Sequence, residues 1–322
     1  MKIVVTGGAG FIGANLVRHL LATEHEVVVL DALTYAAWPV AVEELQEHPR
    51  FTFVRGDLCD GPLVAALLAE RQPDAVLHLA AETHVDRSIK DPTPFLAANV
   101  TGTFTLLEAV RRTSLPPGFR LVCVSTDEVF GALGPTGFFD ESSPYRPSSP
   151  YAASKAAADH LARAWAHTYG LPVIVTHACN NYGPWQFPEK LIPLAIARAC
   201  AGEPIPVYGD GLQVRDWLFV ADHARALALV VERGEPGQSY VVGGRDERPN
   251  RDVLAALCAE LDRARPAGAP HARLLTRVTD RPGHDRRYAV DPSKIERELG
   301  FAPRVSFAEG LRLTVEWYLA RQ

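Results

Sequence analysis

Residues 2–13 read Lys2-Ile3-Val4-Val5-Thr6-Gly7-Gly8-Ala9-Gly10-Phe11-Ile12-Gly13, and this stretch decides the fold. A short β-branched strand runs directly into a glycine-rich turn, and an apolar helical pattern follows from Phe11. Glycines let the backbone turn sharply and approach a pyrophosphate, which binds the exposed N–H groups at the helix start. The stretch therefore predicts the first strand–helix unit of a dinucleotide-binding sheet.

The second predicted strand, residues 26–30, ends at Asp31. A carboxylate there accepts hydrogen bonds from both ribose hydroxyls of the cofactor and repels a 2′-phosphate. No lysine or arginine lies between Arg18 and Arg50 to bind such a phosphate, so we predict NAD rather than NADP. The alternative for the glycines is a tight turn without a ligand. For Asp57, a plain turn residue is nearly as good an interpretation as an adenine contact.

Short β-branched runs alternate with amphipathic helical patterns along the first half of the chain, which predicts an α/β fold with a Rossmann-type doubly wound parallel sheet. The strands are expected at 2–6, 26–30, 51–54, 75–79, 120–125 and 173–177, and the helices at 11–22, 61–71, 93–112 and 150–169. Beyond them, helices are expected at 188–201, 222–232, 250–261 and 306–319, and a strand at 239–242. We predict a NAD-binding domain at 1–178, to which segments around 215–245 return. A smaller mixed α/β substrate lobe is predicted at 179–322.

Composition excludes several functional classes. The 322 residues carry a net charge of −5 without a basic stripe, so we expect no nucleic-acid partner. No apolar run approaches the roughly 20 residues of a membrane span, and no signal peptide precedes the first strand. The five cysteines are scattered, without metal-ligand spacing, which indicates reduced thiols, no metal site and a cytoplasmic location.

Three reactive side chains, Thr126, Asp127 and Glu128, follow the apolar run Leu121-Val122-Cys123-Val124 and Ser125. Ligands of such sheets bind outside the carboxyl ends of the strands, where these residues fall. Two neighbouring carboxyls cannot both ionise freely, so one is driven toward the acid form. The pair suits a reaction that removes one proton and delivers another. A solvated strand end is the alternative.

A second constellation is Ser149-Pro150-Tyr151-Ala152-Ala153-Ser154-Lys155, which has the N-cap and first-turn proline of a helix start. Tyr151 and Lys155 then lie one turn apart on the same face. A neighbouring ammonium favours the phenolate, so this spacing predicts a tyrosine base, and the same ammonium can bond a cofactor ribose. The alternative is an exposed Tyr–Lys pair.

Together these motifs resemble the extended short-chain dehydrogenases/reductases that act on nucleotide sugars, and within them the 4,6-dehydratases. The resemblance covers almost the whole chain. It extends through the stretches at 31–35, 78–88, 180–184, 187–193 and 280–288. The first two motifs are shared with epimerases, whereas the later stretches are typical of the dehydratase branch.

The resemblance implies an NAD-dependent hydro-lyase whose favoured substrate is dTDP-glucose. Tyr151 takes the proton of the 4-hydroxyl as NAD accepts the C4 hydride, with Thr126 bonded to the same oxygen. Glu128 then removes the C5 proton, Asp127 protonates the departing 6-hydroxyl, and the hydride returns to C6. Lys155 completes the implied catalytic set.

The resemblance also implies two binding sets. The cofactor set is Gly7, Gly10, Phe11, Ile12, Gly13, Asp31, Leu33, Thr34, Asp57, Leu58, Leu79, Ala80, Ala81, Thr83, Asn99, Tyr151, Lys155 and Asn181. The substrate set is His84, Thr126, Asn180, Glu189, Lys190, Leu191, Pro206, Tyr208, Arg215, Asn250, Arg281, His284 and Tyr288. Of these, Arg215, Asn250 and Arg281 match positions that bind the diphosphate. The planar guanidinium group of arginine is well suited to bind phosphate oxygens. For Lys190 and Tyr208 a plain surface position is an almost equal alternative.

Four sites depart from the family pattern: Phe130 and Trp185 replace tyrosines, Ala37-Trp38 replaces Gly-Asn, and Val241 replaces an asparagine. We expect Phe130 and Trp185 to reshape the sugar pocket. The resemblance further implies a homodimer through a four-helix bundle of helices 93–112 and 150–169. Open alternatives are a UDP-linked dehydratase, a C4 epimerase or decarboxylase of the same family, and a non-enzymatic NAD-binding sensor.

Overall fold

The computed structural model describes residues 1–280 and 283–321. In chain order the described strands are β1 (Lys2–Thr6), β2 (Glu26–Asp31), β3 (Phe51–Arg55), β4 (Ala75–His78), β5 (Arg120–Thr126), β6 (Val173–Ala178), β7 (Asn180–Tyr182), β8 (Ile205–Tyr208), β9 (Val214–Phe219), β10 (Ser239–Val242), β11 (Glu247–Pro249) and β12 (Leu275–Val278). Seven of them form one sheet in the order β10-β6-β5-β4-β1-β2-β3, and every neighbouring pair is parallel. The predicted doubly wound parallel sheet is confirmed.

Helices cover both faces of this sheet. In chain order the described helices of the whole molecule are α1 (Phe11–Ala22), α2 (Pro39–Glu43), α3 (Gly61–Arg71), α4 (Val85–Lys90), α5 (Thr93–Phe95), α6 (Gly102–Arg112), α7 (Pro150–Tyr169), α8 (Leu191–Ala201), α9 (Val220–Arg233), α10 (Asn250–Ala264), α11 (Ser293–Leu299) and α12 (Phe307–Leu319). One apolar cluster packs α1 and α9 on the first face, and a second packs α3, α6 and α7 on the other. Burial on both faces explains why the strands read as continuous apolar runs.

The second half of the chain contributes to both parts of the molecule. β10 pairs with β6 and so completes the large sheet, whereas β7, β9 and β11 form a small three-stranded sheet. β8 and β12 pair separately, and a third apolar cluster packs α8, α10 and α12 together. Residues 239–242 thus return to the large sheet whereas β9 does not, and the predicted domain bounds at 178 and 215–245 stay predictions.

Two predicted helices differ from the observed ones. The single helix expected at 93–112 is interrupted by a π-helical turn, Leu96–Thr101, between α5 and α6. The helix expected from residue 188 begins only at Leu191, because residues 187–190 form the loop that carries Glu189 and Lys190. Elsewhere the predicted elements are present with ends shifted by a few residues.

Candidate active site

The glycine turn lies between β1 and α1 and is packed too tightly for side chains. A Cβ on Gly13 would lie 2.1 Å from the carbonyl oxygen of Gly7, and one on Gly7 would lie 2.6 Å from the amide of Ala80. Gly7 also has a φ of +76°, which glycine adopts readily. No described side chain caps the start of α1. Its first amides are therefore placed to bind an anion.

Asp31 lies at the end of β2, next to this turn. Its two carboxylate oxygens accept hydrogen bonds from the amides of Ala9, at 2.9 Å, and Leu33, at 2.8 Å. Burial raises the pKa of this carboxyl, and the two amide bonds oppose that shift. The bonds fix the carboxylate beside the glycine turn, where a cofactor ribose would meet it.

The remaining predicted cofactor residues follow the carboxyl ends of the parallel strands, so they lie along the same edge of the sheet. Thr34 and Thr83 are exposed there, whereas Leu58 is buried. Asp57 accepts a hydrogen bond from the amide of Cys59 at 2.8 Å, which is the contact of a turn residue. Asn99 is buried in the π-helical turn.

The side-chain carbonyl of Asn99 accepts a hydrogen bond from the backbone N–H of Glu82. Its side-chain NH₂ donates to the carbonyl oxygen of Glu82 and to the hydroxyl of Ser154. These contacts indicate that Asn99 holds the segment after β4 in place. Asn181 donates to the carbonyl of Cys179 at 2.9 Å, and its Oδ1 is buried without a hydrogen-bond partner among the described residues. An orphaned acceptor at this edge, with the uncapped helix start and the fixed Asp31 carboxylate, fits a bound NAD.

Asp127 and Glu128 lie in the single 3-10 turn Asp127–Phe130 that follows β5. The hydroxyl of Thr126 accepts from the amide of Glu128 at 3.3 Å and donates to Asp127 at 3.3 Å. Asp127 is only 2% exposed, and its Oδ2 has no hydrogen-bond partner among the described residues. Burial, followed by the charge of Glu128, raises the pKa of Asp127 to about 8.

The two acids lie in different environments. Asp127 retains its proton near neutral pH, whereas Glu128 is more accessible and lines a cavity. A solvated strand end does not describe Asp127. A buried protonated carboxyl therefore lies beside a more accessible one, an arrangement that suits the predicted acid–base pair, whose roles stay a prediction.

Tyr151 and Lys155 lie on the first turns of α7, which begins with Ser149 as N-cap and Pro150 in the first turn. Both side chains are buried, so the exposed-pair alternative is wrong. The ammonium of Lys155 donates to the carbonyl oxygen of Val124 at 2.9 Å, and this bond ties α7 to β5. The hydroxyl of Ser88 accepts from the amide of Tyr151 at 3.1 Å.

The expected lowering of the tyrosine pKa is not seen. Burial, followed by the charge of Glu128, raises the pKa of Tyr151 well above its usual value, and a hydrogen bond from Thr126 opposes this only in part. Burial also lowers the pKa of Lys155, against the effect of Asp159. Desolvation of the phenol outweighs the neighbouring ammonium, a balance that helical spacing does not reveal.

A cavity of about 180 Å³ lies between the edge of the large sheet and the small sheets. Ten of the thirteen predicted substrate residues line it: His84, Asn180, Glu189, Lys190, Leu191, Pro206, Tyr208, Arg215, Asn250 and His284. Thr126 and Tyr288 are not among its lining residues, and Arg281 lies outside the described residues. The sequence reasoning missed Val85, Asp86, Leu194, Ala195, Ile205 and Trp217. Most of these are apolar residues of ordinary core type, so their residue types gave no signal.

Contacts around the cavity hold several of these side chains in place. Lys190 donates to the carbonyl of Thr83 at 2.9 Å, and Tyr35 donates to Glu189 at 2.9 Å. Arg215 is 5% exposed and lies over the ring of Tyr288, 4.2 Å from its centroid. A buried guanidinium in the cavity wall is suited to bind phosphate oxygens.

Two departures from the family pattern, Phe130 and Trp185, pack outside the lining of this cavity, and the expectation that they reshape it stays a prediction. Phe130 packs against Phe139, Tyr145 and His177 beneath the 3-10 turn. Trp185 packs against Trp38, in the loop before α2, and against Trp317 of α12. These contacts join the loop to the helix. Neither side chain is among the described residues that line the cavity.

Comparisons with known proteins agree with this geometry. A family model described as GDP-mannose 4,6 dehydratase matches residues 4–314. A dTDP-glucose 4,6-dehydratase of Xanthomonas campestris pv. campestris (strain B100) is 57% identical over 327 residues, covering 99% of this chain and 93% of the relative. The chain belongs to this dehydratase family. Its resemblance to dTDP-glucose 4,6-dehydratases is confirmed.

Solved structures of related proteins share the fold of this chain over 99% or more of its length. The crystal structure of a dTDP-glucose 4,6-dehydratase from Streptomyces venezuelae with NAD bound has a TM-score of 0.93 at 48% identity, covering 99% of this chain and 97% of that one. A UDP-glucose 4-epimerase of Thermus thermophilus in complex with NAD has a TM-score of 0.88 at 33% identity, with both chains fully covered. In the described part of this family member, no helix has the length and apolarity needed to cross a membrane.

Proposed function

We propose that this protein is an NAD-dependent dTDP-glucose 4,6-dehydratase, which converts its substrate to dTDP-4-keto-6-deoxyglucose and water. The observation that carries the proposal is the Asp127–Glu128 pair, which combines a buried protonated acid with a more accessible neighbour at the cavity wall. Oxidation at C4 alone, as in an epimerase, has no use for a second acid. The 57% identity to a curated dTDP-glucose 4,6-dehydratase supports the same substrate.

Tyr151 and Thr126 act on the 4-hydroxyl in this proposal. Tyr151 accepts the hydroxyl proton, and Thr126, which bonds Tyr151, holds the same oxygen. The raised pKa of Tyr151 makes its phenolate a strong base once formed. Lys155, one turn along α7, supplies the positive charge that stabilises the phenolate and bonds the cofactor ribose.

Glu128 and Asp127 divide the elimination between them. A ketone at C4 acidifies the C5 hydrogen, and Glu128 removes that proton. Asp127 delivers its proton to the departing 6-hydroxyl, so that water leaves rather than hydroxide. A carboxyl with a pKa of about 8 retains its proton at neutral pH, which is what a general acid requires.

In this proposal the glycine turn, Asp31, Lys155 and Asn181 would hold NAD. The bound cofactor would supply the group that accepts the hydride from C4 and gives it back at C6. The chain's part is to hold the adenosine ribose at Asp31 and the diphosphate at the start of α1. For the sugar nucleotide, we assign the diphosphate to Arg215 and Asn250. His84, Asn180, Glu189 and Lys190 are assigned to the sugar side of the cavity.

The test is incubation of the holoenzyme with dTDP-glucose deuterated at C4. We expect a product lighter by one water, in which the deuterium has moved from C4 to C6. UDP-, GDP- and CDP-glucose serve as matched substrates, and we expect dTDP-glucose to give the highest kcat/KM. A C4 epimer, or unchanged substrate with every sugar nucleotide, would overturn the proposal.

We further propose that the enzyme is a cytoplasmic homodimer. Its five cysteines are all free thiols, which suits a reducing compartment. Leu96, Phe104 and Tyr169 expose about half of their surfaces on the outer side of α6 and α7 and the turn before them. These two helices of each protomer would form the four-helix bundle.

A further inference from the structure

A buried carboxylate lies directly beneath the candidate catalytic residues. Asp159 is on α7, one turn beyond Lys155, and is 2% exposed. Its Oδ2 alone accepts hydrogen bonds from the hydroxyls of Ser125, at 2.7 Å, and Tyr145, at 3.0 Å, and it lies 3.1 Å from Nε2 of His177. Three bonds to one buried oxygen indicate a fixed anion rather than a surface charge.

The three partners come from the elements that carry the candidate catalytic groups. Ser125 directly precedes Thr126 on β5, and His177 pairs with Ser125 across the β5–β6 register. Tyr145 lies in the segment between the 3-10 turn and α7. Phe130, at the end of the 3-10 turn, packs on the rings of Tyr145 and His177. Asp159 therefore joins the strand of the acid–base pair to the helix of Tyr151 and Lys155.

We propose that Asp159 is a positioning residue of the dehydratase site: its buried carboxylate fixes β5 against α7 and keeps the ammonium of Lys155 charged in a buried environment. The inference rests on the proposed function for its effect on turnover. A buried cation is costly unless a nearby anion compensates it, and Asp159 is the carboxylate one helical turn away. The charge of Asp159 opposes the lowering of the pKa of Lys155.

Other titratable groups around Asp159 respond to the same charge. On neighbouring strands these are His78 of β4 and Cys123 of β5, and the hydrogen bond from His177 of β6 lowers the pKa of Asp159 itself. Tyr145 contacts Asp159 from the preceding segment, and Arg163 and His160 of α7 contact Tyr145. On α7 itself, the negative charge of Asp159 also raises the pKa of Tyr151.

Removing this charge has a defined sign. Without the anion, both Lys155 and Tyr151 lose their protons at lower pH, because the carboxylate stabilises their protonated forms. The limbs of the kcat–pH profile that Tyr151 and Lys155 set therefore move to lower pH, whereas a limb set by Asp127 stays in place. A purely structural role would lower the height of the profile and leave its position unchanged.

The experiment compares the holoenzyme with Asp159→Asn and Asp159→Ser, two neutral variants of which the second leaves room for a water molecule. We expect kcat to fall roughly 10- to 100-fold with KM changed less than about threefold, and the profile to move toward acid by about one pH unit or more. Asp159→Glu, which keeps the charge, should restore the position of the profile. Tyr145→Phe removes one bond and keeps the anion, so its profile should not move.

A second measurement does not depend on the reaction. The rate at which NAD dissociates from the holoenzyme should rise with pH as Lys155 loses its proton, and the midpoint should lie lower in Asp159→Asn than in the wild-type protein. Unchanged midpoints in both neutral variants would overturn the proposal. If the wild-type protein gave no dehydration but the dissociation midpoint moved as expected, the proposed function would fail and the role of Asp159 would stand.

Discussion

At the scale of single residues, Asp127 is a carboxyl of the proposed mechanism that the fold maintains in its acid form near neutral pH. Its carboxyl is buried beside Glu128, and only a weak bond from Thr126 and the charge of Arg215 favour ionisation. The cost of desolvating the carboxylate exceeds these favourable contacts. The same burial that makes Asp127 a proton donor must therefore make it a source of instability at high pH.

We predict that this instability is measurable. Because the pKa of Asp127 rises from 3.8 to about 8 on folding, the folded chain holds a proton that the unfolded chain releases. Relative to Asp127→Asn, the free energy of unfolding of the wild-type protein should fall by about 1.4 kcal/mol per pH unit between about pH 5 and 7.5. Denaturant unfolding of both proteins across this range measures the slope. A difference independent of pH would show that Asp127 is ionised in the folded protein.

Glu128→Gln tests the other half of the pair. Without a base at this position, exchange of the C5 hydrogen with solvent should slow at least about 100-fold, whereas NAD should remain bound because Glu128 is not in the cofactor set. Deuterium incorporation at C5 in heavy water, followed by NMR, measures the exchange. Asp127→Asn is the matched control, since it should exchange C5 yet eliminate water slowly. Normal exchange in Glu128→Gln would assign the base to another residue.

The sequence predicted these residues better than it predicted their energetics. The adjacency of Asp127 and Glu128 is visible in the printed chain, as is the helical spacing of Tyr151 and Lys155. How far each is desolvated depends on contacts between segments that are distant in sequence, such as that of Ser88 with Tyr151. The sequence could therefore predict that one carboxyl of the pair is driven toward its acid form, but not the direction in which the pKa of Tyr151 moves.

At the scale of elements, the strand–turn–helix unit at the start of the chain is the most constrained part of the site. The Cα of Gly13 is so close to the carbonyl of Gly7 that a Cβ would overlap it at 2.1 Å. The turn and α1 must therefore separate to admit any side chain. The alternation of β-branched strands and amphipathic helices made this unit predictable, since it depends on local patterns.

We predict that Gly13→Ala loses NAD. Separation of the turn from α1 would move the amides that bind the diphosphate, and overpacking of this kind typically costs about 1–3 kcal/mol. The cofactor released from purified protein by denaturation, together with a thermal melt, measures both effects. Gly61→Ala is the matched control, because a Cβ there meets only Thr105, at 3.7 Å, an ordinary contact. Full NAD content in Gly13→Ala would contradict this account of the turn.

The irregular elements could not be located from the hydrophobic pattern of the sequence. The π-helical turn Leu96–Thr101 lies inside an unbroken helical pattern, and it places Asn99 against the backbone of Glu82 and the hydroxyl of Ser154. These are contacts between segments far apart in the chain. Likewise, the sequence pattern at 187–191 did not separate the loop that carries Glu189 from the helix that follows. π-helical turns like Leu96–Thr101 are frequent at functional sites.

At the scale of the whole molecule, the two parts of the chain are interleaved rather than consecutive. β10 returns to complete the large sheet after β7 and β9 have begun the small one, and α9 packs against α1. The cavity therefore lies where strands from both halves of the sequence meet, and Asn180, Arg215 and Asn250 line it together with Glu128. The domain boundary predicted at 178 came from the order of elements along the sequence. Which distant strands pair with each other cannot be derived from that order.

The outer face of α6 and α7 is where we expect a second copy of the chain. Phe104 is 43% exposed and packs edge-on against Trp165 of α7, whose indole donates to Glu108 at 2.8 Å. The two helices are thus already joined within one protomer. An apolar patch on such a preformed helix pair is suited to the self-complementary contact of a twofold dimer.

We predict that Phe104→Glu converts the protein to a monomer. A charge at the centre of the patch would be buried against its symmetry mate, where like charges repel and no partner compensates them. Light scattering after size-exclusion chromatography measures the mass, and a circular dichroism melt confirms that the variant is folded. Phe138→Glu is the matched control, because Phe138 is 58% exposed yet lies in the segment between the 3-10 turn and α7. It should remain dimeric. A folded Phe104→Glu dimer would place the interface on another face.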